Sequence, residues 1–216
     1  MWTMGKFKSH QKYYTKDGVL VKGVTTILNI LNKQHLLKWA NDLGLEGIKM
    51  STYVDNLADI GTLAHAIISG SLTNTVVDYS DYSKNQIDIA TVASDKFFKW
   101  QKANNFKHIK SEIKLVSDKY MFGGTADIYC DLDGKKTLID LKTSKAVYGE
   151  AFIQTAAYKV LLEENGYPVD KVLILRIGRS AEEGFEEKEV TQLDLYFKKF
   201  LKCLEIVQID NQIKGG

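Results

Sequence analysis

The sequence predicts a mixed α/β protein, a sheet with helices packed on its faces, and three observations carry that prediction. Apolar residues recur at helical spacing through most of the first hundred positions. From about residue 108 the pattern changes to alternating, β-branched stretches punctuated by turn residues. From there the order reads β-β-β-α-β and then a closing helix, which puts helices against a sheet.

The elements follow in order. Residues 24–31 and 35–44 read as short helices, the second ending at Gly44. Over 52–69, Leu57, Ile60, Leu63, Ala64, Ile67 and Ile68 form one helical stripe, with Gly70 placed to cap it. Ile87, Ile89, Val92, Phe97, Phe98 and Trp100 give a longer amphipathic helix over 83–104. Residues 108–117 alternate as a half-buried strand does. Two further strands, FGGTADIYCDL and KKTLIDLKT, flank Asp133-Gly134, a strong signal for a two-residue hairpin turn. A helix over 149–165 stops at Gly166, two residues before Pro168. KVLILRIG reads as a strand buried on both faces. EEKEVTQL offers another strand, and 193–208 the closing helix. No linker divides the chain, so residues 1–216 are expected to form one domain, mainly helical over 1–104 with an α/β core over 105–216.

Composition narrows the class. The 216 residues are 44% hydrophobic and 26% charged, as in ordinary globular proteins. No apolar run approaches the roughly 20 residues that span a bilayer. The opening MWTMGKFKSHQKYY is basic without an apolar stretch, so no secretory signal is expected and the cytoplasm is the expected location. Cys130 and Cys203 cannot make a four-cysteine metal site, and two buried thiols are expected. The net charge of +2 announces no nucleic-acid partner. Arg176 and Arg179 are the only arginines. If DNA binds, lysine contacts to its backbone are expected to outweigh base reading.

The hairpin gives the sharpest inference. With a turn at Asp133-Gly134, Leu132 pairs with Lys135, and counting outward in step sets Asp127 opposite Asp140. Their Cβ atoms would then lie about 4.5–5.5 Å apart on one face. Lys142, two residues on, points to the same face. Facing carboxylates repel unless something neutralises them, and a hard divalent cation such as Mg²⁺ or Mn²⁺ does so. Such an ion polarises a phosphoryl oxygen and activates water, while Lys142 stabilises charge on the phosphate. The plain alternative is the solvated face of a hairpin.

Other candidates are weaker singly. His65 has only small neighbours on its helix face, Thr62, Gly61 and Ala58, which admit a close element or ligand; it is a candidate metal ligand or a packing histidine. Gln154 and Tyr158 share a helix face and can hydrogen-bond a phosphate or hold the lysine. Glu112 can join the carboxylates as a ligand or lie exposed on its strand. Thr143 and Ser144 can donate to a phosphate or serve a turn.

Taken together, GTLAH (61–65), SEIKL (111–115), FGGTAD (122–127), IDLKTSK (139–145) and QTAAY (154–158) resemble the motifs of the PD-(D/E)XK nuclease superfamily, RecB-like branch, in that family's order. VTTIL (24–28) also looks like the start of phage nucleases of this kind. The resemblance implies a restriction-endonuclease-like core and a Mg²⁺- or Mn²⁺-dependent deoxyribonuclease. Its ligands would be His65, Asp127, Asp140 and the Leu141 carbonyl. Glu112 and Lys142 would act in catalysis, with Gln154 and Tyr158 on the substrate side beside Thr143 and Ser144. Two cysteines leave no place for the iron–sulfur cluster of some members. The expected partner is DNA, as ends or single strands, with a single-strand-binding or annealing protein as a further one. Rival readings are a sequence-specific endonuclease of the same fold and a DNA-binding protein without turnover.

Overall fold

The computed structural model describes residues 11–31 and 34–215; the basic stretch up to residue 10 lies outside them. In chain order the elements are β1 (Tyr13–Tyr14), β2 (Leu20–Gly23), α1 (Val24–Leu28), α2 (Gln34–Leu45), α3 (Met50–Thr73) and α4 (Lys84–Ala103). There follow β3 (Phe106–Ser117), β4 (Phe122–Leu132), β5 (Lys135–Lys142), α5 (Gly149–Glu164), β6 (Lys171–Ile177), β7 (Phe185–Glu189) and α6 (Leu193–Gly215). This is the mixed sheet with flanking helices that the sequence predicts.

The sheet is organised around β4. Strand β3 pairs antiparallel with it from Phe106↔Leu132 to Ser117↔Phe122, occupying one edge along its whole length. β5 and β2 must therefore share the other edge. β5 pairs antiparallel at one end of β4, over Ile128–Leu132, and β2 pairs parallel at the other, at Phe122 and Gly123. Between them, residues 124–127 of β4 have no ladder partner on that edge, and the sheet opens as a fork. Beyond β5 lie β6, parallel to it, and β7, antiparallel to β6.

The β4–β5 register is the expected one. Asp133 and Gly134 both take left-handed φ values, 54° and 80°, as a tight two-residue hairpin turn requires. Pairing then runs in step from Leu132↔Lys135 to Ile128↔Ile139.

Two cores sandwich the sheet. One joins α1, α5 and α6 to Phe122, Ala126, Tyr129, Leu138 and Ile174; the other joins α3 and α4 to Ile128, Cys130, Ile139, Leu141 and Leu173. Strand β6 feeds both, which explains its unbroken apolar run. Strand β4 slips in its alternation at Asp127, since Ala126 serves the first core and Ile128 the second. Opposite that slip, Glu112 of β3 has φ 51°. Both free cysteines are buried.

Several boundaries differ from expectation. Helix α3 runs past Gly70 to Thr73, and Asn74, at φ 55°, caps it. Gly70 instead admits the returning chain: a Cβ there would lie 2.8 Å from the Thr75 carbonyl oxygen. Helix α1 stops at Leu28, α2 passes Gly44 to Leu45, and α6 continues past 208 to Gly215. The larger difference is the hairpin β1–β2, absent from the helical reading of the first half. Its turn contains Asp17-Gly18, with Gly18 at φ 79°, the same dipeptide signal that located the β4–β5 turn. Among the described residues no helix is long and apolar enough to cross a membrane.

Candidate metal centre

The fork in the sheet is where the predicted residues meet. Asp127 stands on β4 just past the last β4–β5 pair, and the matching position on β5 is Asp140. Instead of a continued ladder, Asp127 Oδ2 accepts a 2.8 Å hydrogen bond from the Leu141 amide. On the other edge, Ser111↔Ile128 and Ile113↔Ala126 bracket Glu112 and Asp127, so these two also face each other. Three adjacent strands thus each contribute one acidic residue at one level of the sheet.

Helix α3 supplies the nitrogen. His65 Nδ1 lies 3.6 Å from Asp127 Oδ1, and one ligand atom from each of His65, Glu112 and Asp127 falls within 4.8 Å of the others. The small face of that helix makes the approach possible. A Cβ on Gly61 would sit 2.8 Å from Thr143 Oγ1, so α3 comes down onto the end of β5 where only glycine fits. Asp140 is not in this group of three. It is fully buried, and Lys142 Nζ stands 2.6 Å from its Oδ2. That contact is an ion pair without hydrogen-bond alignment, and neither Asp140 oxygen accepts a hydrogen bond among the described residues.

The electrostatics reflect crowding. Burial, with the Asp127 charge added, raises the Glu112 carboxyl to about 7 against the pull of His65. Burial likewise raises Asp140 to about 6, Lys142 opposing and Asp127 reinforcing. Burial also disfavours charge on His65, yet the negative charge of nearby Asp127 outweighs it and lifts the imidazole to about 9. Asp127 resists burial and stays below its ordinary value, because His65, Lys142 and the Leu141 amide all favour its charged form. For Lys142, burial is outweighed by Asp140 and Asp127, and its pKa is raised.

These groups fit a hard divalent cation. The donors are carboxylate oxygens and one imidazole nitrogen, a set suited to Mg²⁺ or Mn²⁺. Ligands about 2.1 Å from one ion lie at most about 4.2 Å apart, so a cluster within 4.8 Å needs little adjustment. Asp140 is a further carboxylate with no hydrogen bond to give up. Lys142 is its ion-pair partner among the described residues, burial still disfavours its charge, and a cation would lower that cost.

Other candidates divide. Gln154 Nε2 donates to the Tyr158 hydroxyl at 2.9 Å, as their shared helix face predicts. Tyr158 is buried, and its pKa is raised well above the ordinary value by burial and then by Asp140 and Asp127. Ser144 turns away into a local turn, donating to the Ala146 carbonyl at 2.7 Å. Thr143 packs against Gly61. Among the aromatics, Trp100 is a core residue whose indole donates to Glu187 at 2.6 Å. Trp39 packs edge-on against Tyr53, ring centroids 5.7 Å apart. Both arginines are engaged with glutamates, Arg176 with Glu186 and Arg179 with Glu183.

The sequence reading missed the far wall of the fork, where Tyr13 and Gln11 approach Thr125. The Asp17-Gly18 turn was the available signal. It also missed Ser69, whose hydroxyl donates to Ser111 at 3.2 Å and ties α3 to β3.

No family model matches the chain, and no curated protein matches it. Among solved structures it is similar to a candidate exonuclease from Eubacterium rectale, at 14% identity and TM-score 0.46, over 70% of this chain and 64% of that one. It is also similar to the protein SSO0001, at 16% identity and TM-score 0.32, over 67% of this chain and 75% of that one. The chain therefore spans less than two thirds of the length of the first. Likeness at this level carries no argument about function, which has to come from the site.

Proposed function

We propose that the chain is a Mg²⁺- or Mn²⁺-dependent deoxyribonuclease that hydrolyses phosphodiester bonds from DNA ends, in phage-type replication, recombination or repair. His65, Glu112 and Asp127 would hold the ion, joined by Asp140 and the Leu141 carbonyl that the resemblance adds. Bound there, the ion would supply a Lewis acid for a phosphoryl oxygen and a water of lowered pKa. Lys142, charged and partly exposed, would stabilise charge developing on the phosphate. Gln154 and Tyr158, linked to each other, would hold the substrate side of the site.

The observation that supports this most is the meeting of three strand carboxylates with His65 and Lys142 at the one place where the sheet opens. A buried Asp140–Lys142 ion pair, its carboxylate without an aligned hydrogen bond, is costly to desolvate and is weak support for stability alone.

The test compares end-labelled linear DNA with closed circular DNA, in Mg²⁺, in Mn²⁺ and in chelator. Linear DNA should be degraded, circular DNA left whole, and chelator should stop the reaction. Asp140→Ala and Lys142→Ala should each abolish cleavage while the protein stays folded. Full activity in either variant, or in chelator, would overturn the proposal. Cutting of circular DNA would make the enzyme an endonuclease.

A further inference from the structure

Beyond the carboxylates, the stretch of β4 that lacks a ladder partner on one edge carries a second group of side chains. Thr125 lies two residues before Asp127 on β4, and its register partner Lys114 lies two residues after Glu112 on β3. A two-residue step along a strand is about 6.6 Å, close to the spacing of successive phosphates on a nucleic acid strand. Tyr13 of β1 lies flat against Gly123, where a Cβ would come within 2.5 Å of the tyrosine Cβ and Cγ.

The polar chain there has a direction. Thr125 Oγ1 donates its single proton to Gln11 Oε1 at 2.9 Å. The 3.1 Å contact between the Tyr13 and Thr125 hydroxyls is therefore donated by Tyr13. Gln11 is held through its oxygen, and its two amide protons have no acceptor among the described residues. Lys114 Nζ sits 5.7 Å from the centre of the Tyr13 ring. It is exposed and has no carboxylate partner among the described residues.

We infer that Lys114 and the Gln11 amide form a subsite for the phosphate one nucleotide from the scissile bond on a DNA strand, with Tyr13 and Thr125 posing the amide. The inference rests on the nuclease reading for its substrate. A cation without a carboxylate partner and an amide held through its oxygen, one strand repeat from the acidic group, match a polyanion whose next charge falls at that distance. The subsite reads backbone and not bases, in keeping with a surface whose arginines are committed to glutamates.

The test measures binding of a short labelled oligothymidylate across a salt series in Ca²⁺, and separately kcat and KM for its cleavage in Mg²⁺. Lys114→Ala should weaken binding about tenfold and lower the logarithmic salt slope by about 0.7, the loss of one single-strand phosphate contact. Its effect on cleavage should fall on KM and not on kcat, and Lys114→Arg should restore both. Tyr13→Phe should weaken binding about threefold with no change in slope, and Gln11→Ala should add nothing to it. Lys202→Ala, on α6 and paired with Glu205, is the control and should bind as the native chain does.

A Lys114→Ala protein with native affinity and native salt slope would overturn the subsite, even if cleavage is robust. If DNA binds with the Lys114 dependence but is never cleaved with either metal, the nuclease reading fails and the subsite stands.

Discussion

The Leu141 amide donates to Asp127 Oδ2 at 2.8 Å, taking a side-chain carboxylate where a continued ladder would have offered the Ala126 carbonyl. One bond thus ends the β4–β5 pairing, opens the fork and fixes the orientation of a prospective metal ligand.

Asp127 therefore has a structural part separable from its charge. Asp127→Asn keeps an oxygen for the Leu141 amide, whereas Asp127→Ala leaves that amide without its acceptor. In metal-free protein the alanine variant should be the less stable of the two, by about 1–3 kcal/mol in urea unfolding. Both should lose Mn²⁺ binding by calorimetry. Equal stability would show that the Leu141 bond contributes nothing.

Metal binding should release protons. To ligate, His65 must be neutral and Glu112 ionised, yet without a cation they titrate at about 9 and about 7. Both values are raised above the unfolded ones. Their contribution to metal-free stability is therefore full below the unfolded values, and is lost as pH rises through about 7 for Glu112 and about 9 for His65. The rise in Tm on adding Mn²⁺ should accordingly grow from pH 6 to pH 8.5. A rise that is flat or shrinks over that range would contradict the ligand assignment.

Gly61 carries the approach of α3 to the site. Gly61→Val should push the helix off Thr143, cost about 1–3 kcal/mol of stability and weaken Mn²⁺ binding at least tenfold by displacing His65. Gly61→Ala combined with Thr143→Ala, which removes the Oγ1 that a new Cβ would meet, should recover most of what Gly61→Ala alone loses. Additive losses in that cycle would show that the two residues do not press on each other.

The loop between β6 and β7 has its own pH signature. Although burial acts to raise it, Glu183 is held below its ordinary value by hydrogen bonds from Arg179. A depressed carboxylate stabilises above its unfolded pKa, and the contribution is lost as pH falls through the folded one. Glu183→Gln should flatten the acid side of the stability profile, below about pH 4.5, relative to the native chain. An unchanged profile would mean that the clamp contributes no net stability.

Gly124 lets Tyr158 lie against β4: a Cβ there would come within 2.6 Å of the ring. Gly124→Ala should displace Tyr158 and break its bond with Gln154. Activity should fall while Mn²⁺ affinity, which depends on other residues, holds.

How much was legible beforehand can be judged residue by residue. The Asp133-Gly134 turn and the period-2 pattern around it were local, and they gave the β4–β5 register without any knowledge of the rest. Ser83 and Gln86, which form a capping box at the start of α4, were an equally local signal that the helical stripe alone did not use. The β1–β2 hairpin was misread because the strands beside Asp17-Gly18 are short and barely buried, so the alternation had little amphipathic contrast to display. Gly70 misled for the opposite reason. Its role is to admit a chain returning from beyond the helix, and such a contact leaves no periodic trace.

Local chemistry, then, determined the β4–β5 register: turn geometry and the two-residue repeat of a strand are properties of neighbouring residues, and they already put Asp127 at the position matching Asp140, with Lys142 two residues on. What only the tertiary structure decided was the company they keep. Glu112 joins because β3 irregularly faces Asp127. His65 reaches Asp127 because Gly61 lets a distant helix settle on β5, and Asp140 is fully buried because two cores close over it. Those outcomes depend on packing between segments far apart in the chain, where free energy is set by shape and exclusion of water and not by the order of residues in any one stretch.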